Sequence, residues 1–208
     1  MIRVAIVDDH PVVREGTAAL LAAQPGLEVV AGAGSIDEAV LAGLTDGDRV
    51  DVLLLDIRLG SGSGLELLNS NDLAAPPGSR PAIVILTSFD YPQYADAALR
   101  LGAAGFVLKT APIAELLDAI ERAAAGGLAF SVRPRGEAVV RLSAREHDVV
   151  RLVVDGDSND EIAGALGIGP KTVETHLRRL FERFGLASRT ELATRALREG
   201  WLDVPPGR

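Results

Sequence analysis

The chain has 208 residues, 48% hydrophobic and 24% charged, an ordinary soluble globular profile with room for one large domain or two small ones. Zero cysteines exclude a disulfide framework, a thiol nucleophile and thiolate metal sites, and no apolar run nears the ~18 residues of a membrane span. The net charge of −8 argues against nucleic acid only as an average. Residues 1–131 hold 8 basic and 17 acidic side chains, whereas residues 132–208 hold 13 and 12.

The opening Met1–Val7 reads as a strand and not a signal peptide. Short apolar, β-branched runs at Ile2–Val7, Leu27–Ala31, Val50–Leu55, Ala82–Thr87 and Gly105–Leu108 fit strands buried on both faces of a parallel sheet. Helical signals fall between and after them, at Pro11–Ala23, Ile36–Ala42, Gly64–Asn69, Tyr91–Leu101 and Pro112–Ala125. Five strands alternating with five helices predict a doubly wound α/β domain with a five-stranded parallel sheet, flavodoxin-like, over residues 1–127. Leu73–Pro81, with Pro76, Pro77 and Gly78, reads as a mobile surface loop. Gly126-Gly127 stops the last helix, and 128–141 reads as a linker. Residues 142–208 give purely helical signals. Three Ser-x-x-Glu capping boxes (Ser143…Glu146, Ser158…Glu161, Ser188…Glu191) and a helix start at Gly169-Pro170 predict a small all-α domain of four helices.

Asp8 and Asp9 follow the first strand and Asp56 ends the third. With strand order 2-1-3-4-5, strands 1 and 3 are neighbours at the point where the order reverses, and ligands bind there beyond the strand carboxyl ends. Three converging carboxylates repel one another, which raises at least one pKa. A hard divalent cation with oxygen ligands, Mg²⁺ foremost, relieves that conflict. Thr87 and Lys109 stand at the ends of the fourth and fifth strands. A carboxylate nucleophile, Mg²⁺, a hydroxyl and an ammonium together make a phosphoryl-acceptor site. A lone strand-end aspartate is more often a helix cap; five suitable groups at the same sheet edge outweigh that reading. Gly32-Ala33-Gly34 lacks the third glycine of a dinucleotide fingerprint, and no phosphate-binding G-x-x-x-x-G-K-[ST] loop occurs. His10, His147 and His176 are scattered and predict no metal constellation.

Asp8-Asp9, Leu53-Leu54-Leu55-Asp56, Leu86-Thr87-Ser88 and Gly105-Phe106-Val107-Leu108-Lys109 closely resemble the receiver domain of two-component response regulators. The resemblance implies that Asp56 is the phosphoacceptor, with Asp8, Asp9, Asp56 and the backbone carbonyl of Arg58 holding Mg²⁺. It implies that Thr87 and Phe106 are a switch pair, the hydroxyl moving toward the phosphoryl group as the ring turns inward. Two positions depart from the family: Gly60 replaces a frequent proline and opens the flexible-looking run Gly60–Gly64, and Phe106 replaces a frequent tyrosine.

In the second domain, Glu161–Leu166, the turn Gly167-Ile168-Gly169 and Pro170–Phe184 spell helix, short turn, helix. Val173, Leu177, Leu180, Phe181 and Phe184 form one apolar stripe; Lys171, Thr172, Glu174, Thr175, Arg178, Arg179 and Arg183 lie on the other side. Spacing alone leaves open a four-helix interaction module with a solvated basic face. Leu142-Ser143-x-Arg145-Glu146, Ser158-Asn159-x-Glu161-Ile162-Ala163, Lys171-Thr172-Val173-x-Thr175-His176-Leu177 and Ser188-Arg189-Thr190-Glu191 look like the LuxR-type DNA-binding domain. The two resemblances together place the chain in the NarL/FixJ class. On that likeness Lys171, Glu174, Thr175 and Arg178 lie nearest base edges, with Thr172 beside them and Arg179 on phosphate. Glu174 stands where lysine is frequent; it repels phosphate but accepts from a cytosine amino group.

The expected protein is a cytoplasmic transcriptional regulator switched by phosphorylation of Asp56, and not an enzyme. Its expected partners are a cognate sensor histidine kinase and two-fold related double-stranded DNA sites, bound as a homodimer through the last helix (Glu191–Gly200), with no membrane contact. A phosphorylation-independent regulator and a small-substrate phosphotransferase or phosphatase are the alternatives.

Overall fold

The computed structural model describes residues 1–60, 62–69, 81–130 and 140–206. The chain divides into two compact units, Met1–Glu137 and Ala138–Arg208. In the first, strands β1 (Ile2–Val7), β2 (Leu27–Ala33), β3 (Val52–Leu55), β6 (Ala82–Thr87), β7 (Gly105–Leu108) and β8 (Ala129–Phe130) form one parallel sheet of order β2-β1-β3-β6-β7-β8. Helices α1 (Pro11–Ala22), α2 (Ile36–Leu41), α3 (Gly64–Asn69), α4 (Pro92–Arg100) and α5 (Ile113–Ala124) alternate with the strands. A two-residue hairpin, β4 (Arg58–Leu59) with β5 (Gly62–Ser63), interrupts that alternation after β3.

The strand register explains the hydrophobic pattern. Side chains alternate across a pleated strand, so Val4, Ile6, Val52, Leu54, Val84, Leu86 and Val107 share one face, where Leu21 of α1 and Leu116 and Ile120 of α5 pack. The intervening residues Ala5, Val7, Leu53, Leu55, Ile83, Ile85 and Phe106 are buried on the opposite face. The edge strand β2 differs. It alternates half-buried and exposed residues from Leu27 to Gly32, because Leu27 and Val29 pack on the core face while the alternate residues lie on a less covered one.

The sheet has six strands where the sequence predicts five. Ala129 and Phe130, in the segment read as linker, pair with Gly105 and Phe106. Two residues without alternation carry no strand signal, and the space that admits them is set elsewhere. A Cβ on Gly105 would stand 2.7 Å from the Ala129 carbonyl oxygen. The loop read over Leu73–Pro81 lies, apart from buried Pro81, outside the described residues, as does most of 128–141.

The second unit comprises α6 (Ala144–Asp155), α7 (Asn159–Leu166), α8 (Pro170–Phe184) and α9 (Arg189–Arg198) around a core that includes Val149, Val153, Ile162, Val173, Leu177, Leu180, Leu192 and Trp201. Ser143 and Ser158 make reciprocal capping boxes with Glu146 and Glu161. The third Ser-x-x-Glu differs: Ser188 accepts from the Glu191 N–H, but the Glu191 carboxylate accepts from the N–H of Ala187, one residue earlier. At that cap φ is −153°, against −66° and −67° at the two full boxes, which points the cap's own N–H away from the glutamate. Ser35 and Glu38 make the same variant at the start of α2, with Gly34 as the upstream donor. Gly156, Gly167 and Gly185 end α6, α7 and α8 in the left-handed conformation that a glycine adopts without a Cβ clash.

Candidate functional sites: an acidic pocket and a cationic helix face

Three strand ends build the pocket. The Asp8 and Asp56 N–H groups donate to the Ala33 and Val7 carbonyls, and the Lys109 N–H donates to Thr87, so ladder bonds carried one residue past the strands fix all three side chains. Lys109 Nζ lies 2.5 Å from Asp56 Oδ2 and 2.7 Å from Asp8 Oδ2. The Ile57 N–H donates to the other Asp56 oxygen at 2.7 Å. Asp9 Oδ2 accepts from the N–H of Gly60 at 2.8 Å, and Asp9 Oδ1 stands 2.6 Å from His10 Nδ1. Thr87 is fully buried, its hydroxyl oxygen accepting a long bond from the Phe89 N–H. Phe106 is also fully buried, one strand away.

Burial pushes the Asp56 carboxyl up from its ordinary value; Lys109 opposes that shift and Asp8 adds to it. Burial pulls the Lys109 ammonium down, but its bonds to Asp56 and Asp8 reverse the shift and leave it raised. Carboxylate oxygens of Asp8, Asp9 and Asp56 and a ring nitrogen of His10 lie within 4.8 Å of one another. The donor set is dominated by hard anionic oxygens, which fits a divalent cation of the Mg²⁺ or Ca²⁺ kind and not a thiophilic one.

His10 therefore corrects the sequence reading, which placed no histidine in a metal constellation. Its ring bonds Asp9, and its N–H donates to Asp8. The run Gly60–Gly64 is corrected as well, Ser61 lying outside the described residues. Gly60 has φ +55° and so turns its N–H onto Asp9. Gly62 and Ser63 are a strand, and Gly64 starts α3. Gly64, which starts the helix read there, makes a close approach to the pocket that sequence reasoning missed. Its N–H donates to the Ile57 carbonyl at 2.7 Å, and a Cβ there would overlap the Asp56 carbonyl oxygen. Arg58 lies on β4 with its guanidinium 4.0 Å from the Phe89 ring centroid, a cation–π contact joining the loops that follow β3 and β6.

On α8 the inner face buries Val173, Leu177 and Leu180. Phe181 and Phe184 of the predicted stripe are half-buried, and the Phe184 ring packs at a tilt against Trp201, centroids 4.6 Å apart. Lys171, Thr172, Glu174, Arg178 and Arg179 are exposed; Thr175 is half-buried, its hydroxyl donating to the Lys171 carbonyl at 2.9 Å. Arg183, read as part of the outer face, is instead a structural cation. It makes two bonds to the Glu146 carboxylate at 3.0 and 3.2 Å and one to the Arg141 carbonyl at 2.7 Å. Arg189 likewise binds Asn159 and the Asp157 carbonyl, and Arg195 binds Glu199 and the Phe184 carbonyl. Among the described residues, Lys171, Arg178 and Arg179 carry no ion pair. These six cations thus resolve into a structural set and an outward-facing one.

Residues 4–121 match the response regulator receiver domain, and residues 140–196 match the bacterial regulatory proteins of the luxR family. The chain belongs to the LuxR-type response regulators. It is 40% identical over 205 residues to the transcriptional regulatory protein UhpA of Salmonella typhimurium, covering 97% of this chain and all of that one. It is 37% identical to the nitrate/nitrite response regulator NarP of Escherichia coli, over 90% of each chain. The crystal structure of the response regulator ChrA from a heme-sensing two-component system superposes with a TM-score of 0.53 at 31% identity, covering 96% of this chain and 98% of that one. A structure of two RcsB dimers bound to two parallel DNAs gives a TM-score of 0.61 at 26% identity, covering 95% and 98%. This response regulator is therefore a phosphorylation-switched, DNA-binding transcriptional regulator of a two-component system, with a receiver and an output domain. No helix among its described residues is long and apolar enough to cross a membrane.

Proposed function

We propose that this chain takes a phosphoryl group on Asp56 from a cognate sensor histidine kinase in the cytoplasm and then binds two-fold related DNA sites as a homodimer. The observation that carries the reading is Lys109 Nζ set between Asp56 and Asp8 at 2.5 and 2.7 Å, beside a third carboxylate. Asp8, Asp9 and Asp56, with the Arg58 backbone carbonyl, would hold Mg²⁺, which supplies charge neutralisation at the transferring phosphoryl oxygens. An Asp56 oxygen attacks phosphorus as the bond to the donor's leaving atom breaks, leaving an acyl phosphate on Asp56. Lys109 then exchanges its bond to Asp56 for one to a phosphoryl oxygen, and the Thr87 hydroxyl donates to another. Departure of Thr87 from its contact with the Phe89 N–H opens space toward which Phe106 turns, the two-state element of the switch. The acceptor is consumed once per chain, so the protein turns over no substrate and is not an enzyme. On α8, Lys171, Thr172, Glu174, Thr175 and Arg178 face base edges, and Arg179 a phosphate.

The test is incubation with Mg²⁺ and a small acyl-phosphate donor, followed by intact-mass measurement and peptide mapping. One phosphoryl group on Asp56, absent from Asp56→Asn, is expected. Labelling that persists in Asp56→Asn overturns the assignment, and DNA binding of equal strength with and without donor overturns the switch.

A further inference from the structure

The outer face of α8 carries one feature that a purely electrostatic DNA contact does not need. Glu174 is exposed on the second turn, between Lys171 and Arg178 in sequence, and among the described residues its carboxylate has neither hydrogen bond nor ion pair. Arg178 stands four residues on, the spacing at which a glutamate and an arginine ordinarily pair on a helix. The carboxylate therefore remains available while the cations around it point outward.

Rested on the reading of α8 as the groove-facing helix, the chemistry of duplex DNA restricts what Glu174 can meet. Phosphate and sugar oxygens of the backbone offer a carboxylate no donor and repel it. Major-groove edges offer two donors, the cytosine 4-amino and the adenine 6-amino group. Adenine sets its N7 acceptor beside that amino group, so a carboxylate reaching for adenine meets a lone pair as well as a proton. Cytosine presents the amino group alone. The neighbours do not compete for this role. Lys171 and Arg178 are donors only and suit guanine O6 and N7. Thr175 has its hydroxyl proton committed to the Lys171 carbonyl, which leaves it no side-chain donor to spare.

We propose that Glu174 is a specificity-determining residue that selects cytosine at one position of each half-site by accepting a hydrogen bond from its 4-amino group. In a field of cations that bind all sequences, this acid weakens non-cognate binding and is repaid only where cytosine stands opposite it.

The experiment is selection from a duplex library with a randomised core, using the full chain treated with the acyl-phosphate donor, in parallel for wild type, Glu174→Gln and Glu174→Lys. Wild type is expected to enrich cytosine at one position per half-site, with about tenfold weaker binding when that base is changed. Glu174→Gln is expected to move the preference at that position to adenine, whose N6 and N7 a glutamine amide matches, and Glu174→Lys to guanine. The other enriched positions remain as in wild type. If all three proteins recover the same bases and the variants bind every sequence more tightly by a similar factor, Glu174 is only a solvated charge and the inference falls. If wild type enriches no sequence at all, the reading of α8 as a base-contacting helix falls with it.

Discussion

Charge is handled in opposite ways in the two halves of this response regulator. In the receiver, Lys109 is locked between Asp8 and Asp56, both almost fully buried, and every charge in the pocket has a partner at bonding distance. On α8, Lys171, Glu174, Arg178 and Arg179 stand in solvent with no ion pair among the described residues. A buried, paired cluster responds strongly to one added group, because little water is present to screen the change. An exposed, unpaired set responds to a polyanion instead, and salt attenuates that response. The same side-chain types thus serve covalent chemistry in one place and long-range attraction in the other.

The comparison breaks most visibly at Lys109. Lys109→Ala leaves Asp8 and Asp56 facing each other without their shared cation, and labelling by the acyl-phosphate donor is expected to slow on the order of 100-fold, measured by the rate of mass gain. Gly64→Ala comes next. The added methyl forces the Asp56 backbone to shift, and a loss of about 2 kcal/mol is expected in denaturant melts, with labelling impaired.

Two arginines on one helix sharpen the contrast further. Arg178→Ala is expected to weaken cognate-site binding roughly tenfold and to lower the salt slope by about one, with no change in melting. Arg183→Ala is expected to cost about 1 kcal/mol of output-domain stability, since its pairing with Glu146 is partly solvated, and to leave the salt slope unchanged.

The smallest effect is on pH dependence. Burial pushes the Glu146 carboxyl up, but bonds from Ser143 and Arg183 outweigh it and hold it below the ordinary value of 4.5; the Ser158 bonds hold Glu161 below that value as well. A carboxylate depressed in the fold stabilises it above its unfolded pKa, and that contribution disappears as pH falls through the folded value. Ser143→Ala is accordingly expected to cost about 1 kcal/mol at neutral pH. Its deficit relative to wild type should narrow below pH 4.5, read from melting temperatures across the acid range.

Sequence patterns located the central elements well because their causes are local. β1, β6, β7 and α3 begin and end at the residues their apolar runs and breakers indicate, and α8 begins at Gly169-Pro170 as its cap requires. The acidic pocket was legible for a different reason: its members sit at strand ends, and a parallel sheet of known order brings strand ends together. What escaped depends on contacts across the chain. Gly64 looks like one glycine among several until the Asp56 carbonyl oxygen is seen against it. Arg183 and Arg178 are both cations on the same helix; only the position of Glu146 and Arg141 separates a clamp from an outward-facing charge. His10 joins the pocket through Asp9, a neighbour in sequence whose side-chain direction no spacing rule supplies.

The two-residue strand at Ala129–Phe130 has an anatomical consequence. Phe130 is the register partner of Phe106, so the last described residues before 140 lie beside the strand that carries that ring. A receiver cut after Gly127 would lose that neighbour and bare the backbone edge of β7 at Gly105 and Phe106, where unpaired N–H and C=O groups invite strand addition from another chain. The first unit therefore extends beyond α5, and a strand that follows that helix belongs to its sheet.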